Sequence, residues 1–579
     1  MKFINKLVVA GVALLATTAC VDKDPDQHIF PNPDVDFTYN VDGDEYTLDF
    51  YVVSTIQFNN TSAKSGNFVW DFGDGTTSTE VNPVHKFDKA GVYDVTLTLD
   101  GVGKKTYPLM IFDIVPVLSI DTQSTDVVEF DNTELTFALE LPNPENLRVK
   151  YEWTFPEGTV DAAGNPVTSF IGYANADGSV DYPEPVKFKN IGSQRVDIKA
   201  WFDVDGENRQ LDPAYLNVQV GCSEPAPTLY YAQRGGNIKA LKIIDNVPAG
   251  TKVLPFDMGV PAGSTVFNLV YADVAETNEE GEVSQSSWIY ILDAGKQYYY
   301  INDEDGVLGD GKITAMRTDG SGVNTVITNV GGAAFNDPFR GVAYNGKLYY
   351  SDRNTGFSSI ALTARGEVEA KNSDNNRASY VSVNNTMPYY NRLGQLTYGA
   401  ITNGIYRDKA GYWWVGKNFN GMGIFRFNDS QIYQTDKDAQ KAPIPGPVVL
   451  ESVRLSTFAV DEVHNRLFGW RIVPNPGLIE CPLPSINATV DEKSVTAYVA
   501  MDADPINTTA SEGVYTTQFA VDTESGKVYF CYRPVGADAN GVHAGIVVYD
   551  PATQKVSNYG ETSDLGTGIV LNPNKTKLF

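Results

Sequence analysis

The chain has 579 residues, of which 42% are hydrophobic and 12% aromatic, with a formal charge of 44 − 72 = −28. That length exceeds a single core and points to three or four domains at roughly 150 residues each. So acidic a surface repels phosphate backbones and anionic bilayers, which argues against nucleic acid as a partner and against adhesion to membranes through charge. Tyr 32 and Phe 28 suit the pleated surface of a sheet, and Gly 51 with Pro 31 supplies the turns between short strands. Composition alone therefore leans to an all-β protein.

The first segment has the layout of a secretory signal. Lys2 and Lys6 precede an apolar run, Leu7 to Ala16, that is too short to span a bilayer. The run ends in Thr17-Thr18-Ala19-Cys20, which resembles the lipobox of bacterial lipoproteins. One position departs from that pattern, since Thr17 stands where the family usually has Leu. The resemblance implies cleavage before Cys20, lipid attachment (palmitate among the acyl chains) at its thiol and amino terminus, and anchoring in the outer membrane. Residues 20–34 then form an acidic tether. Its start, Val21-Asp22-Lys23-Asp24-Pro25-Asp26, resembles the export signal of Bacteroides-like surface lipoproteins, which implies an extracellular orientation.

Residues 35–113 carry a dense motif: Val69-Trp70-Asp71-Phe72-Gly73-Asp74-Gly75, then Asn82-Pro83, His85, Phe87, Gly91 and Tyr93 before the alternating Val95 to Leu99. The spacing predicts a strand, a glycine-rich turn and a second strand, with Trp70 facing Val95, Leu97 and Leu99 across a sandwich. Gly73, Gly75 and Gly91 are expected at positive φ. Asp71 and Asp74 are better placed to cap the turn than to catalyse. The passage resembles a polycystic-kidney-disease (PKD) domain, which implies an immunoglobulin-like sandwich acting as spacer or interaction module.

The pattern returns in weaker form over 114–222. Trp153 and Phe155 match Trp70 and Phe72, and Gly192, Val196 and Ile198 repeat the spacing of Gly91, Val95 and Leu97, although the Gly-Asp-Gly turn is absent. A divergent PKD-like sandwich is expected there.

From 223 to 579 a different unit recurs, each a strand, tight turn and strand, beginning near 341, 404, 458 and 519. Stretch 228–340 supplies two or three more. A single small sheet cannot bury both faces, and radial stacking solves that, which is the logic of a β-propeller. Six to eight blades are expected, with seven favoured. Asp408 to Phe427 resembles a blade of the sensor propellers of hybrid two-component regulators, and Ile313 to Ile327 a receptor-type YWTD blade. The fold class is thus all-β: two immunoglobulin-like sandwiches followed by a propeller.

Chemistry is sparse. His28 and His85 lie in tether and PKD motif, leaving His464 and His543, and no nucleophile elbow, zinc helix or phosphate loop is present. No cofactor and no metal are expected. The acidic Asn302–Asp310 stretch suits hairpin turns better than calcium. Cys222, Cys481 and Cys531 allow one disulfide at most. Candidate ligand contacts are the Tyr389-Tyr390 pair beside a predicted loop and the entries of the innermost strands, namely Arg340, Asn403, Thr457 and Gln518.

The whole arrangement resembles PKD-like lipoproteins of Bacteroides-type bacteria. That implies an accessory or binding role beside a TonB-dependent transporter and its lid lipoprotein, with a glycan or peptide as ligand. Two alternatives stay open: a propeller-type polysaccharide lyase or glycoside hydrolase with PKD spacers, and a structural adaptor that binds only proteins.

Overall fold

The computed structural model describes residues 33–577 apart from internal segments, the longest being 42–49, 296–310, 329–337, 363–401, 429–447 and 502–517. Among the described residues there are strands throughout, one short 3-10 turn and no α-helix. The signal segment and Cys20 lie outside them.

Alternation in the Gly91–Leu99 strand turns Val95, Leu97 and Leu99 inward, where they are fully buried. This strand sits mid-sheet, between Gly103–Phe112 and Phe68–Asp71, and its register sets Leu97 beside Trp70 in one sheet, so the reading that placed Trp70 across the sandwich from Val95, Leu97 and Leu99 is corrected. A facing sheet of Phe37–Val41, Ile56–Asn60 and Val84–His85 delivers Phe37 and Phe58 against Trp70, with ring centroids 4.9 and 5.6 Å away. Gly73 and Gly75 adopt φ of +79° and +93° as expected. Gly91 does not, because it opens a regular strand; the reading that placed it at positive φ is corrected.

The second sandwich reproduces this plan. Its main sheet runs Val128–Glu129, Ala214–Gly221, Gly192–Val204, Val149–Thr154 and Ser169–Ala174, and sets Ile198 opposite Trp153. Trp153 stacks on Phe155 at 6.4 Å, as Trp70 does on Phe72 at 6.5 Å.

Beyond it, six sheets are arranged radially among the described residues. Their innermost strands are Gly566–Thr576, Val266–Thr277, Pro338–Tyr344, Thr402–Arg407, Arg454–Asp461 and Ala520–Val521, and each touches the next around a closed ring. The first blade joins both ends of the domain, because Gly566–Thr576 pairs with Ala226–Gln233. The favoured count of seven is thereby corrected to six sheets among the described residues. Apolar clusters fill the spaces between blades, such as Tyr230, Ile238, Ile289 and Met316 between the first and second. Cys222, Cys481 and Cys531 are all buried and free.

The second sandwich is tied to the first blade by backbone. Ile191 N donates to Lys252 O at 3.0 Å and Leu254 N to Ile191 O at 2.8 Å, while Cys222 N donates to Lys577 O at 3.0 Å. Lys252 also pairs with Glu157 at 2.9 Å. Such a junction resists bending, since any hinge there would expose unpaired peptide groups.

Candidate functional site at the propeller axis

An innermost blade strand pairs with a neighbour on one edge only. Its other edge faces the axis, where its N–H and C=O groups need partners. Three long polar side chains meet that need. Arg340, on the third blade, is buried; its guanidinium donates to Phe267 O on the second blade and, at 3.4 Å, to Ser456 O on the fifth. Gln518, just before the sixth blade, accepts from Leu269 N at 2.9 Å and Ile569 N at 3.1 Å and donates to Leu269 O at 2.8 Å. Asn268 accepts from Gly341 N at 2.9 Å, tying the second blade to the third.

Two of the sequence-predicted residues, Arg340 and Gln518, therefore do come to the axis, and there they cross it to hold strands. Thr457 is buried in the fifth blade's inner strand, opposite Trp470. Asn403 lies in the inner strand of the fourth blade, but its side chain falls outside the described residues, as do Tyr389 and Tyr390 entirely. Asn268 was missed in the sequence reading. Its signal was present: Phe267-Asn268 aligns with Phe339-Arg340 as a ring followed by a long polar group at a strand entry.

Elsewhere several of the polar groups that the sequence singled out are engaged in structure. Asp71 accepts from Gly73 N, and Asp74 accepts from Thr76 and meets His85 Nε2 at 2.7 Å, so both cap the turn. Partial burial would raise the Asp74 carboxyl, but the hydrogen bonds from Thr76 and His85 outweigh it and hold it below its usual range. Asp461 accepts from Val463 N and His464 N and touches His464 Nδ1 at 2.7 Å, closing a hairpin. Trp413 lies against Tyr349 at 4.6 Å between blades, and Trp414 donates to Asp408 at 2.8 Å. No group of three or more His, Cys, Asp or Glu side chains is placed to hold a metal among the described residues, and the Asn302–Asp310 stretch lies outside them.

Residues 42–107 match the PKD domain family. A 57-residue stretch is 47% identical to collagenase ColA of Bacillus cereus, covering 9% of this chain and 6% of that protein. A 129-residue stretch is 28% identical to the pre-pro-metalloprotease PrtV of Vibrio cholerae, covering 22% of this chain and 14% of that one. The chain thus spans a small fraction of these relatives. Among solved structures, a quinonprotein alcohol dehydrogenase-like protein from Bacteroides thetaiotaomicron aligns with 78% of this chain and 98% of its own at 15% identity and a TM-score of 0.31. A DUF4784 family protein from Bacteroides caccae aligns over the same shares at 10% identity and a TM-score of 0.28.

Proposed function

We propose that this chain is a non-catalytic, surface-exposed outer-membrane lipoprotein that serves as an accessory or binding component of a nutrient-uptake system. Lipidated Cys20 anchors it, the tether clears the bilayer, and the two sandwiches form a stiff arm that presents the propeller. A PKD domain at 42–107 is consistent with a surface accessory protein. The partner we assign is a TonB-dependent transporter with its lid lipoprotein, and the ligand a glycan or peptide; both come from the lipobox, tether and domain order together.

The observation that carries this reading is the axis. A propeller enzyme uses groups at the mouth of its funnel to act on substrate, whereas Arg340, Gln518 and Asn268 are engaged in holding strand edges together. That favours a rigid presenting head over a lyase or glycosidase. Ligand contact then falls outside the strand entries, and we keep Tyr389 and Tyr390, which lie outside the described residues, as its candidates.

The test is fractionation and capture. The tagged wild-type chain should sediment with outer membranes, be shaved from intact cells by external protease and co-purify with a transporter. The Cys20→Ser chain should leave the membrane fraction. Unchanged fractionation of that variant, or release of product from a polysaccharide panel by the purified protein, would overturn the reading.

A further inference from the structure

The two sandwiches share a core but not an outward sheet face. On the second, Arg148 lies 4.2 Å from the centre of the Tyr173 ring, Lys150 lies 5.2 Å from Trp201, and Arg195 lies 4.1 Å from Tyr215. The registers set Tyr173, Lys150 and Trp201 side by side across three strands, with Tyr215 opposite Asp197 on a fourth. Three cation–ring pairs thus step across one face.

Nothing in the fold requires them. Aligning Trp153 with Trp70 and Gly192 with Gly91 places Arg195 where the first sandwich has Asp94, and Tyr215 where it has Thr106. The face is open, with Tyr215 exposed at 56%. Its charge also runs against the whole chain: Arg148, Lys150, Arg195 and Lys199 against Glu152, Asp197 and Asp203, two residues beyond Trp201 in its strand, give 4 − 3 = +1, in a protein of −28. A guanidinium stacked on a ring is held with its N–H edge outward, able to fork a carboxylate; on Arg195 that edge already meets Asp197 Oδ1 through Nε and Nη2, so the fork falls to Arg148.

We propose that this face binds an acidic polysaccharide, its uronate carboxylates held by Arg148 and Lys150 and its sugar rings lying against Trp201 and Tyr215. Charge complementarity selects the occupant: a neutral glycan would gain nothing from the cations, and the planar carboxylate of a uronate matches the two parallel N–H bonds that a guanidinium offers. The site is independent of whatever the propeller contacts, so its failure would leave the proposed function standing.

Affinity electrophoresis of the purified full chain tests it. Gels containing polygalacturonate should retard the protein, gels containing dextran should not, and added salt should weaken the effect. The Arg148→Ala/Lys150→Ala chain should lose about tenfold in affinity, and Trp201→Ala should weaken retardation as well. Val92→Ala, on the outward face of the first sandwich, should change nothing. No retardation of the wild type, equal retardation in dextran, unchanged binding by the double variant, or tighter retention by single-stranded DNA would each overturn the proposal.

Discussion

In the first sandwich Trp70 lies opposite Leu97, stacks on Phe72 and donates its indole N–H to Glu80 O at 3.0 Å. In the second, Trp153 lies opposite Ile198 and stacks on Phe155 in the same way, yet its buried indole N–H has no acceptor among the described residues. Gly91 begins a regular strand, whereas its counterpart Gly192 is held at φ +107° against the propeller. Close packing pins the shared centre, because ring positions there tolerate little change. Turns, edges and outward faces answer instead to whatever lies next to each copy.

The sharpest way to break this comparison is at the paired glycines. A Cβ on Gly192 would sit 2.2 Å from Leu254 O at a φ that side chains rarely adopt, whereas on Gly91 the nearest atom, on the Tyr93 ring, is 3.6 Å away. Gly192→Ala should cost about 3–5 kcal/mol, combining backbone strain with a steric clash at the junction. Gly91→Ala should stay within about 1 kcal/mol. Calorimetry of both variants checks this, and equal losses would mean that the junction is not what strains Gly192.

A smaller difference is expected at the tryptophans. Trp70→Phe removes ring contacts and also strands Glu80 O, while Trp153→Phe removes ring contacts and an already unpaired N–H. The second change should cost less than the first by about 1 kcal/mol, measured by denaturant unfolding. Equal costs would show that Trp153 finds an acceptor in solution.

What the sequence made legible follows the same division. Trp153, Gly192, Val196 and Ile198 repeat the spacing of Trp70, Gly91, Val95 and Leu97, and the registers bring both sets to equivalent places. Period-two alternation records packing directly. The number of blades was less legible, because the first blade is assembled from Ala226–Gln233 and the distant Gly566–Thr576. Arg340 and Gln518 could be placed at the axis, but their task could not be read: unpaired inner edges arise only once the ring closes. The strain at Gly192 comes from Leu254, some sixty residues away in another domain, and the cation–ring face is assembled from four strands that only the registers align.

Acid should separate the sandwiches more gently. The Asp74 carboxyl is held low by Thr76 and His85 against the opposing pull of burial, so its folded value lies below its unfolded one. Its contribution is present above the ordinary carboxylate range and is lost as pH falls through the depressed value. The second sandwich lacks this turn, so Asp74→Asn should flatten the acid dependence of the first sandwich alone. Amide exchange resolved by domain reports it, and an unchanged acid profile would remove Asp74 from the account.

The smallest effect is the one that decides what the outward face of the second sandwich is for. If the Arg195–Tyr215 pair served stability, Tyr215→Thr, which installs the first sandwich's residue, would forfeit the attraction of a guanidinium for a ring, about 0.5–1 kcal/mol at an exposed site. Arg195 also pairs with Asp197 at 2.7 Å and keeps that partner in the variant, so the net loss should stay below about 0.5 kcal/mol. The same substitution should still weaken retention by polygalacturonate, since it removes a ring against which a sugar lies. A loss of stability well above that bound, with polysaccharide retention intact, would make the three pairs a brace for the sheet, and the contrast between the two outward faces would then record how each sandwich is held together.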